Sequence, residues 1–429
     1  KEYSYDSQGF LSREENELGG FLSLINQRNI GDSSYQENQE IKINRSTYNV
    51  QDIDYTLTLD GSTVSTVSVG GEALMETVAR EGQSLVSYSN GSVIESSFNA
   101  SIDHGILKAD VSSRNITTPE GLISQTASFS RVSLSGGGDL RGRYKFSSIN
   151  GKEYYSYLDR STNITSFGLP SGKQSYLSYN ELGDPSSVWQ EDVAPITWEY
   201  NQDGTIYAVA QADRRWVYGY NNLQLSSITD PMGNVKNLVR NSKGEIIEQN
   251  INGKRKLLFE YDDSGRLEKL TNPMAGVYVM LSNVSKLLES FEAPIINGNS
   301  QNIESFGYSI DKQLNSFTKP NGSSLGYIYN DIGKLQNVTE NSVVLKTYVR
   351  DRSTDQLTGI NSASGINHSF SYDGFLLKSE MVSGELSGSY QLNYDNDFRL
   401  SSDQVSSGDL ISYTYDDDSL LSSAGSSTY

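Results

Sequence analysis

The stretch Tyr261-Asp262-Asp263-Ser264-Gly265-Arg266-Leu267-Glu268-Lys269-Leu270 decides how the rest of the chain is read. It holds an aromatic residue, an Asp, a short polar turn ending in Gly, and then apolar residues in alternation. Upstream, Leu257, Phe259 and Tyr261 alternate with polar neighbours at period two, the pattern of a strand with one apolar face. Asp bonds its own backbone and Gly accepts positive φ, so the chain reverses after Tyr261. A second strand is expected from Leu267 to Leu270.

The same frame recurs along the chain. It begins at Tyr157 (YLDRSTNI), Tyr179, Tyr200, Tyr220, Val239 (VRNSKGEI), Tyr261, Leu281 (LSNVSKL), Tyr308, Tyr329, Tyr348 (YVRDRSTDQL), Tyr372, Tyr394 and Tyr415. Steps are mostly 19 to 24 residues, with one of 27 at the insertion FEAPIINGNSQ, and an isolated copy stands at Tyr5. A second turn closes each unit, often with Pro to pre-set it and Gly to release it: LPSG from Leu169, DPMG from Asp230, NPMAG from Asn272, KPNG from Lys319. A fixed period of this kind is the signature of a repeat architecture. One repeat is two short antiparallel strands and two turns.

Thirteen hairpins supply roughly 26 strands, at about 4.8 Å each some 125 Å of sheet. Open sheets rarely exceed about ten strands without curling. A propeller needs a four-stranded blade as its repeating unit, and the period here shows no doubling, so it ranks second. The expected fold is all-β: a long spiralling antiparallel sheet of tandem hairpins, with the repeat tyrosines Tyr157, Tyr179, Tyr200, Tyr220, Tyr261, Tyr308, Tyr329, Tyr348, Tyr372, Tyr394 and Tyr415 packing across neighbouring strands. Residues 1–150 keep the strand and turn vocabulary without the tyrosine frame. They are expected to be a degenerate β-rich region continuous with the array of residues 151–429, and ALMETVAREG, from Ala73, reads as a short helix.

The residues also carry a resemblance. The frame, INGKEYYSYLD from Ile149 followed by LPSGK, FEAPIINGNSQ leading to YSIDKQLNSFTKPNGSSLGYIYN, and YDNDFRLSSDQV resemble the YD or RHS repeats of bacterial RHS proteins, of the C components of insecticidal toxin complexes and of teneurins. The resemblance is close over residues 115–429 and weaker before. It implies part of a hollow β-shell, secreted or held at the bacterial cell envelope, enclosing a passenger or toxin segment of its own polypeptide. The RHS core with its paired aspartates and a variable effector are not found, so self-cleavage is assigned to no residue. The chain starts at Lys1 without Met and ends at Tyr429 in what reads as a new strand, so a fragment of a longer polypeptide is expected.

Composition narrows the alternatives. Only 35% of the 429 residues are hydrophobic and mean hydropathy is −0.50, low for a thick core, while 28 Tyr and 13 Phe argue against disorder. A net charge of −19 opposes nucleic acid and anionic membranes. No Cys and two His exclude thiolate sites and disfavour transition metals, so no cofactor or metal is expected. No apolar run reaches the length of a membrane span, so no direct membrane insertion is expected. The Asn-x-Ser/Thr sequons, such as Asn115-Ile116-Thr117, are at chance level in a chain this rich in those residues. His104 has no serine arrangement around it, and His368 shares strand parity with Phe370 and Tyr372, which places it in the aromatic row. The acidic turns Asp262-Asp263 and Asp416-Asp417-Asp418 read as turn caps and not as calcium loops. Gly136-Gly137-Gly138-Asp139 lacks what a phosphate loop needs. The leading reading is a non-enzymatic encapsulating scaffold. A surface adhesin whose tyrosines stack on glycans or meet a partner cell is the alternative, and a glycosidase would need paired carboxylates that the repeat does not set.

Overall fold

The structure is a computed structural model, which describes residues 2–7, 9, 11–16, 21–30, 37–45, 49–57, 62–69, 72–101, 105–134, 140–294 and 302–428. Among these residues there are 39 strands, numbered β1 to β39 in chain order, and no helix. Each strand pairs antiparallel with the next one in sequence, from β1 (Glu2–Tyr5) to β39 (Ser427–Thr428), and no strand pairs with any other. The result is one continuous meander of the expected kind. His104, Gly136 and most of the insertion after Phe291 lie outside the described residues.

The segment from Ala73 is a correction to the expected helix. It lies in β7 (Glu72–Arg80), paired along its length with Thr63–Val69 on one side and Gln83–Tyr88 on the other. Leu74, Met75 and Val78 have near-helical spacing, but two ladders of backbone hydrogen bonds outweigh a few tenths of a kcal/mol of helix propensity.

The wall is one sheet thick. Among the described apolar residues only Ala208 and Leu392 are buried. The accessible surface is 26388 Å², against about 16,000 Å² for a compact protein of this mass. Low hydrophobic content follows, because a single layer has no enclosed core to fill.

The ribbon closes on itself through its turns. The turn at Asp373, between β33 (Asn367–Asp373) and β34 (Leu376–Ser383), meets the loop at Thr118, between β10 (Gly105–Thr117) and β11 (Ile123–Leu134), 23 strands earlier. Asn396 and Asp397 meet Asn150, and Asp418 meets Ser171, each again 23 strands apart. At about 4.8 Å per strand, 23 strands make a circuit of roughly 110 Å, a ring about 35 Å across. The sheet is a spiral of more than one coil, its edges joined by turns and by no strand pairing.

Candidate functional site

The repeat position is best defined by the turn. In all but the first repeat hairpin a β-bulge falls at the end of the first strand, as between Glu260 and Tyr261 or Ile328 and Tyr329. The next residue is Asp or Asn at every one of these positions but Ser309, and in many of the turns its Oδ1 accepts from two turn amides: Asp262 from Ser264 N (2.8 Å) and Arg266 N (3.0 Å), Asn330 from Ile332 N (3.2 Å) and Lys334 N (2.8 Å). By this rule the bulge residue is Tyr at 179, 200, 220, 261, 308, 329, 372, 394 and 415. Elsewhere it is Arg240, Ser282 and Arg350, and in the unbulged first hairpin Leu158 precedes the capping Asp159. Steps between these positions are 20 to 22 residues, with one of 26, tighter than the spacing read from aromatics alone.

The hydroxyls show why tyrosine recurs. Tyr329 donates to Leu314 O at 2.8 Å, Tyr261 to Ile246 O at 2.8 Å and Tyr200 to Pro185 O at 2.7 Å. Tyr372 donates to Leu357 O, Tyr394 to Leu377 O and Tyr415 to Leu400 O, all at 2.8 Å. Each acceptor stands at or next to the start of the preceding strand, beyond the end of the ladder. Pairing between β28 (Leu314–Thr318) and β29 (Ser324–Tyr329), for example, stops at Ser316 and Gly326. The phenol thus replaces a missing ladder bond for a carbonyl left over by the bulge. Burial raises the pKa of Tyr200, Tyr220, Tyr308, Tyr372 and Tyr394. Tyr390, which donates to Asp403 Oδ2 at 2.7 Å, is pushed up to about 12.

Two expected repeat tyrosines sit elsewhere. Tyr348 lies on the frame face but two residues before the bulge, which Arg350 occupies, donating to Asp355 O at 2.9 Å. Tyr157 lies on the opposite face, opposite Tyr144, with ring centroids 4.2 Å apart. Register followed strand by strand shows that the two faces exchange character. From β17 (Val193–Tyr200) onward, the frame face carries Trp198, Phe259, Phe306, Phe317, Tyr327 and Phe370, and the other carries mostly Ser, Thr, Asn, Gly and charge. Between β11 and β16 (Pro185–Gln190) the rings of Phe146, Tyr157, Tyr176 and Trp189 stand on that other face. His368 is on the frame face as expected, parallel to Phe370 at 6.4 Å, with Nδ1 2.6 Å from Glu380 Oε1.

The seam between coils was invisible in the sequence. Asp373, itself buried, accepts from Thr118 Oγ1 (2.6 Å) and Glu120 N (2.8 Å), with Lys378 paired to Glu120 beside it. Gly374 lies against Ser92, where a Cβ would collide with the Ser92 hydroxyl. Asn150 donates to Asn396 O (2.9 Å) and to Asp397, and Lys152 stands 3.6 Å from Asp397. Asp418 accepts from Ser171 N (2.9 Å) and Ser171 Oγ (2.6 Å), bonds that hold its carboxyl below the usual range. At the other end Asn16 Nδ2 donates to Ile310 O at 2.7 Å. Aspartates that read as solvated caps are therefore, in part, the joint of the wall. Among the described residues no cluster of three or more His, Asp or Glu could hold a metal ion.

Fold and seam together define a β-hairpin repeat wall of the YD-shell class. The teneurin YD-shell family matches residues 1–425, and the chain belongs to that family. No curated protein matches it in sequence. Among solved structures it is similar to the Photorhabdus luminescens Tc holotoxin pore carrying the TccC3-D651A mutation, at 11% identity and TM-score 0.62, over 94% of this chain and 24% of that one. A lesser likeness, TM-score 0.41 at 11% identity, is to TcdB2-TccC3 without its hypervariable C-terminal region, over 94% of this chain and 27% of that one. The chain thus spans about a quarter of the length of these two chains.

Proposed function

We propose that the chain is part of the wall of a shell-like scaffold that encloses a polypeptide passenger of its own protein, in a molecule secreted or displayed at the cell envelope. The single observation that carries this is the circuit of 23 strands: a one-layer ribbon that returns to itself and is fastened there surrounds a space. The frame face is the one we assign to the lumen. On a curved single layer the concave side chains crowd together, and Leu257 and Phe259 are half-buried while their alternating neighbour Leu258 is 40% exposed. Ile328 between Tyr327 and Tyr329 repeats the contrast. The repeat tyrosines are given the structural role of closing each hairpin onto the one before it. The first Asx-capped turn of the repeat frame, at Asp159, supports treating residues 1–150 and 151–429 as two regions of one wall.

Small-angle scattering tests the enclosure. A compact chain of this length has a radius of gyration near ~22 Å, and the wall should give a value several ångströms higher with a hollow distance distribution. A solid-sphere profile at the compact value would sink the reading. In the full polypeptide, segments outside the wall should resist protease until Asp373, Asp397 and Asp418 are changed together to Ala. Equal cleavage with the seam intact would show that nothing is enclosed.

A further inference from the structure

The two-residue turn Asn150-Gly151 joins β12 (Leu140–Ile149) to β13 (Lys152–Asp159), with φ 48 at Asn150 and φ 84 at Gly151. Asn-Gly is the pair that this left-handed hairpin turn favours. It is also the pair in which a side-chain amide is most open to attack, because glycine has no side chain to shield its backbone nitrogen. Gly151 is exposed, and nothing lies within 4 Å of where a Cβ would stand.

Asn150 engages both ends of its amide. Oδ1 accepts from Gln125 N (2.6 Å) on the neighbouring strand, while Nδ2 donates to Asn396 O (2.9 Å) and to the Asp397 carboxylate of the later coil. Asn252-Gly253 repeats the device at φ 51 and 69. There Oδ1 accepts from Val235 N (2.7 Å) and Nδ2 donates to Asn234 Oδ1 (2.9 Å). What differs is the acceptor. The amide of Asn234 can turn over and present its nitrogen to a new oxygen, whereas a backbone carbonyl and a carboxylate have no proton to offer.

We propose that Asn150-Gly151 is a deamidation site whose conversion unfastens the wall. The Gly151 nitrogen attacks Cγ of Asn150, the new C–N bond closes a succinimide, and Nδ2 leaves as ammonia with the Gly151 proton. Water then opens the ring to aspartate or isoaspartate. In aspartate an oxygen replaces Nδ2 and meets Asn396 O and Asp397, three acceptors with no donor among them, which costs the desolvation of each. Lys152 (3.6 Å) and Arg399 (3.0 Å) already answer the charge of Asp397. Isoaspartate lengthens the backbone by a methylene and displaces the turn itself. The other joints lack this chemistry, because Asp373 and Asp418 accept from hydroxyls and backbone amides. While the seam is closed, three bonds hold the Asn150 amide away from attack, so conversion follows opening and makes it one-way. The inference rests on the seam and not on anything the wall encloses.

The chain is aged in warm, mildly alkaline buffer while peptide mapping by mass spectrometry follows amide-to-acid conversion at Asn150 and Asn252. The double variant Asp373→Ala, Asp418→Ala loosens the flanking joints and leaves the contacts of Asn150 in place. In it, conversion at Asn150 should quicken about tenfold or more, and conversion at Asn252 should hold. The Ile123 amide donates to Asn396 Oδ1 across the same joint (3.2 Å), so its hydrogen exchange reports the fastening. Asn150→Asp should quicken exchange there, and Asn252→Asp should leave it unchanged. If Asn150→Asp does not fold, the parent chain aged to conversion gives the same readout. Exchange at Ile123 indifferent to the conversion of Asn150, or equal conversion with the seam intact and loosened, would overturn the proposal.

Discussion

Residues 123–190 and residues 193–428 build the same sheet with the same connectivity, yet set their cross-strand ring pairs on opposite faces. In the later region the bulge, the Asx turn and the phenol that bonds the preceding hairpin lock register to period, so every ring of the frame falls on one side. In the earlier region the first strands are longer, twelve residues in β11 and ten in β12 (Leu140–Ile149), and pairing alone holds them, the first turn caps coming after them at Asp159 and Asn180. Where no device repeats, rings need only find rings across the strand. The comparison teaches that the tyrosine is a register device first and an apolar side chain second.

The largest way to break the comparison is to remove a ring from each region. Tyr329→Ala should cost about 3 kcal/mol, as truncations of large packed side chains do, and in a repeat array the damage should stay with the neighbours. Hydrogen exchange should quicken over residues 308–348 and hold near residue 157, and uniform loss of protection would contradict a quasi-linear wall. Tyr157→Ala should cost less than half as much by denaturant titration, because it removes a stack and no bond to the backbone.

Removing only the hydroxyl sharpens the contrast. Tyr329→Phe should cost about 1 kcal/mol, the net worth of one hydrogen bond, while Tyr157→Phe should be neutral within error. Equal effects would mean that the bond to Leu314 O carries no weight. Smaller again is the effect at the turns whose last residue is not Gly. Lys286 sits at φ 65 where Gly265 and Gly333 occupy the equivalent place. Lys286→Gly removes that strain but loosens the unfolded chain, so a gain of no more than about 1 kcal/mol is expected, seen as a small rise in melting temperature.

The smallest effect expected is on pH. Backbone amides of the turn lower the pKa of Asp262, and side-chain hydroxyl and amide donors lower those of Asp203, Asp230 and Asp351. A carboxylate with its folded pKa below its unfolded value stabilises above the unfolded pKa, near ~3.9, and loses that contribution as pH falls through the folded one. Stability should therefore be flat from neutral pH to about 4 and decline below it. Asp262→Asn, which keeps the cap without the charge, should soften the decline, and an unchanged slope would show that the turn carboxylate carries no such weight.

Much of the wall was legible because its turns are written locally. Asp262, Gly265 and the alternation before Tyr261 are enough to draw one hairpin, and spacing repeats it. Following the apolar residue in place of the turn sets the frame one residue early, at Val239, Leu281 and Tyr157, where the turn marks Arg240, Ser282 and Leu158. The capping Asx one residue on was the signal that would have corrected each. The seam had no such signal. Its partners stand 246 to 294 residues apart, and nothing around Asp418 announces Ser171.

A meander in which each strand touches only its predecessor and successor has a consequence for how it is made. Long-range closure is what slows the folding of β proteins, and here every ladder is local, so the ribbon can wind in step with its synthesis. The fastening between Asp373, Asp397 and Asp418 and their distant partners forms only after some two hundred and fifty residues are in place. A ribbon assembled in that order stays unfastened while its earlier coil is made, so each joint forms well after the ladders it ties together.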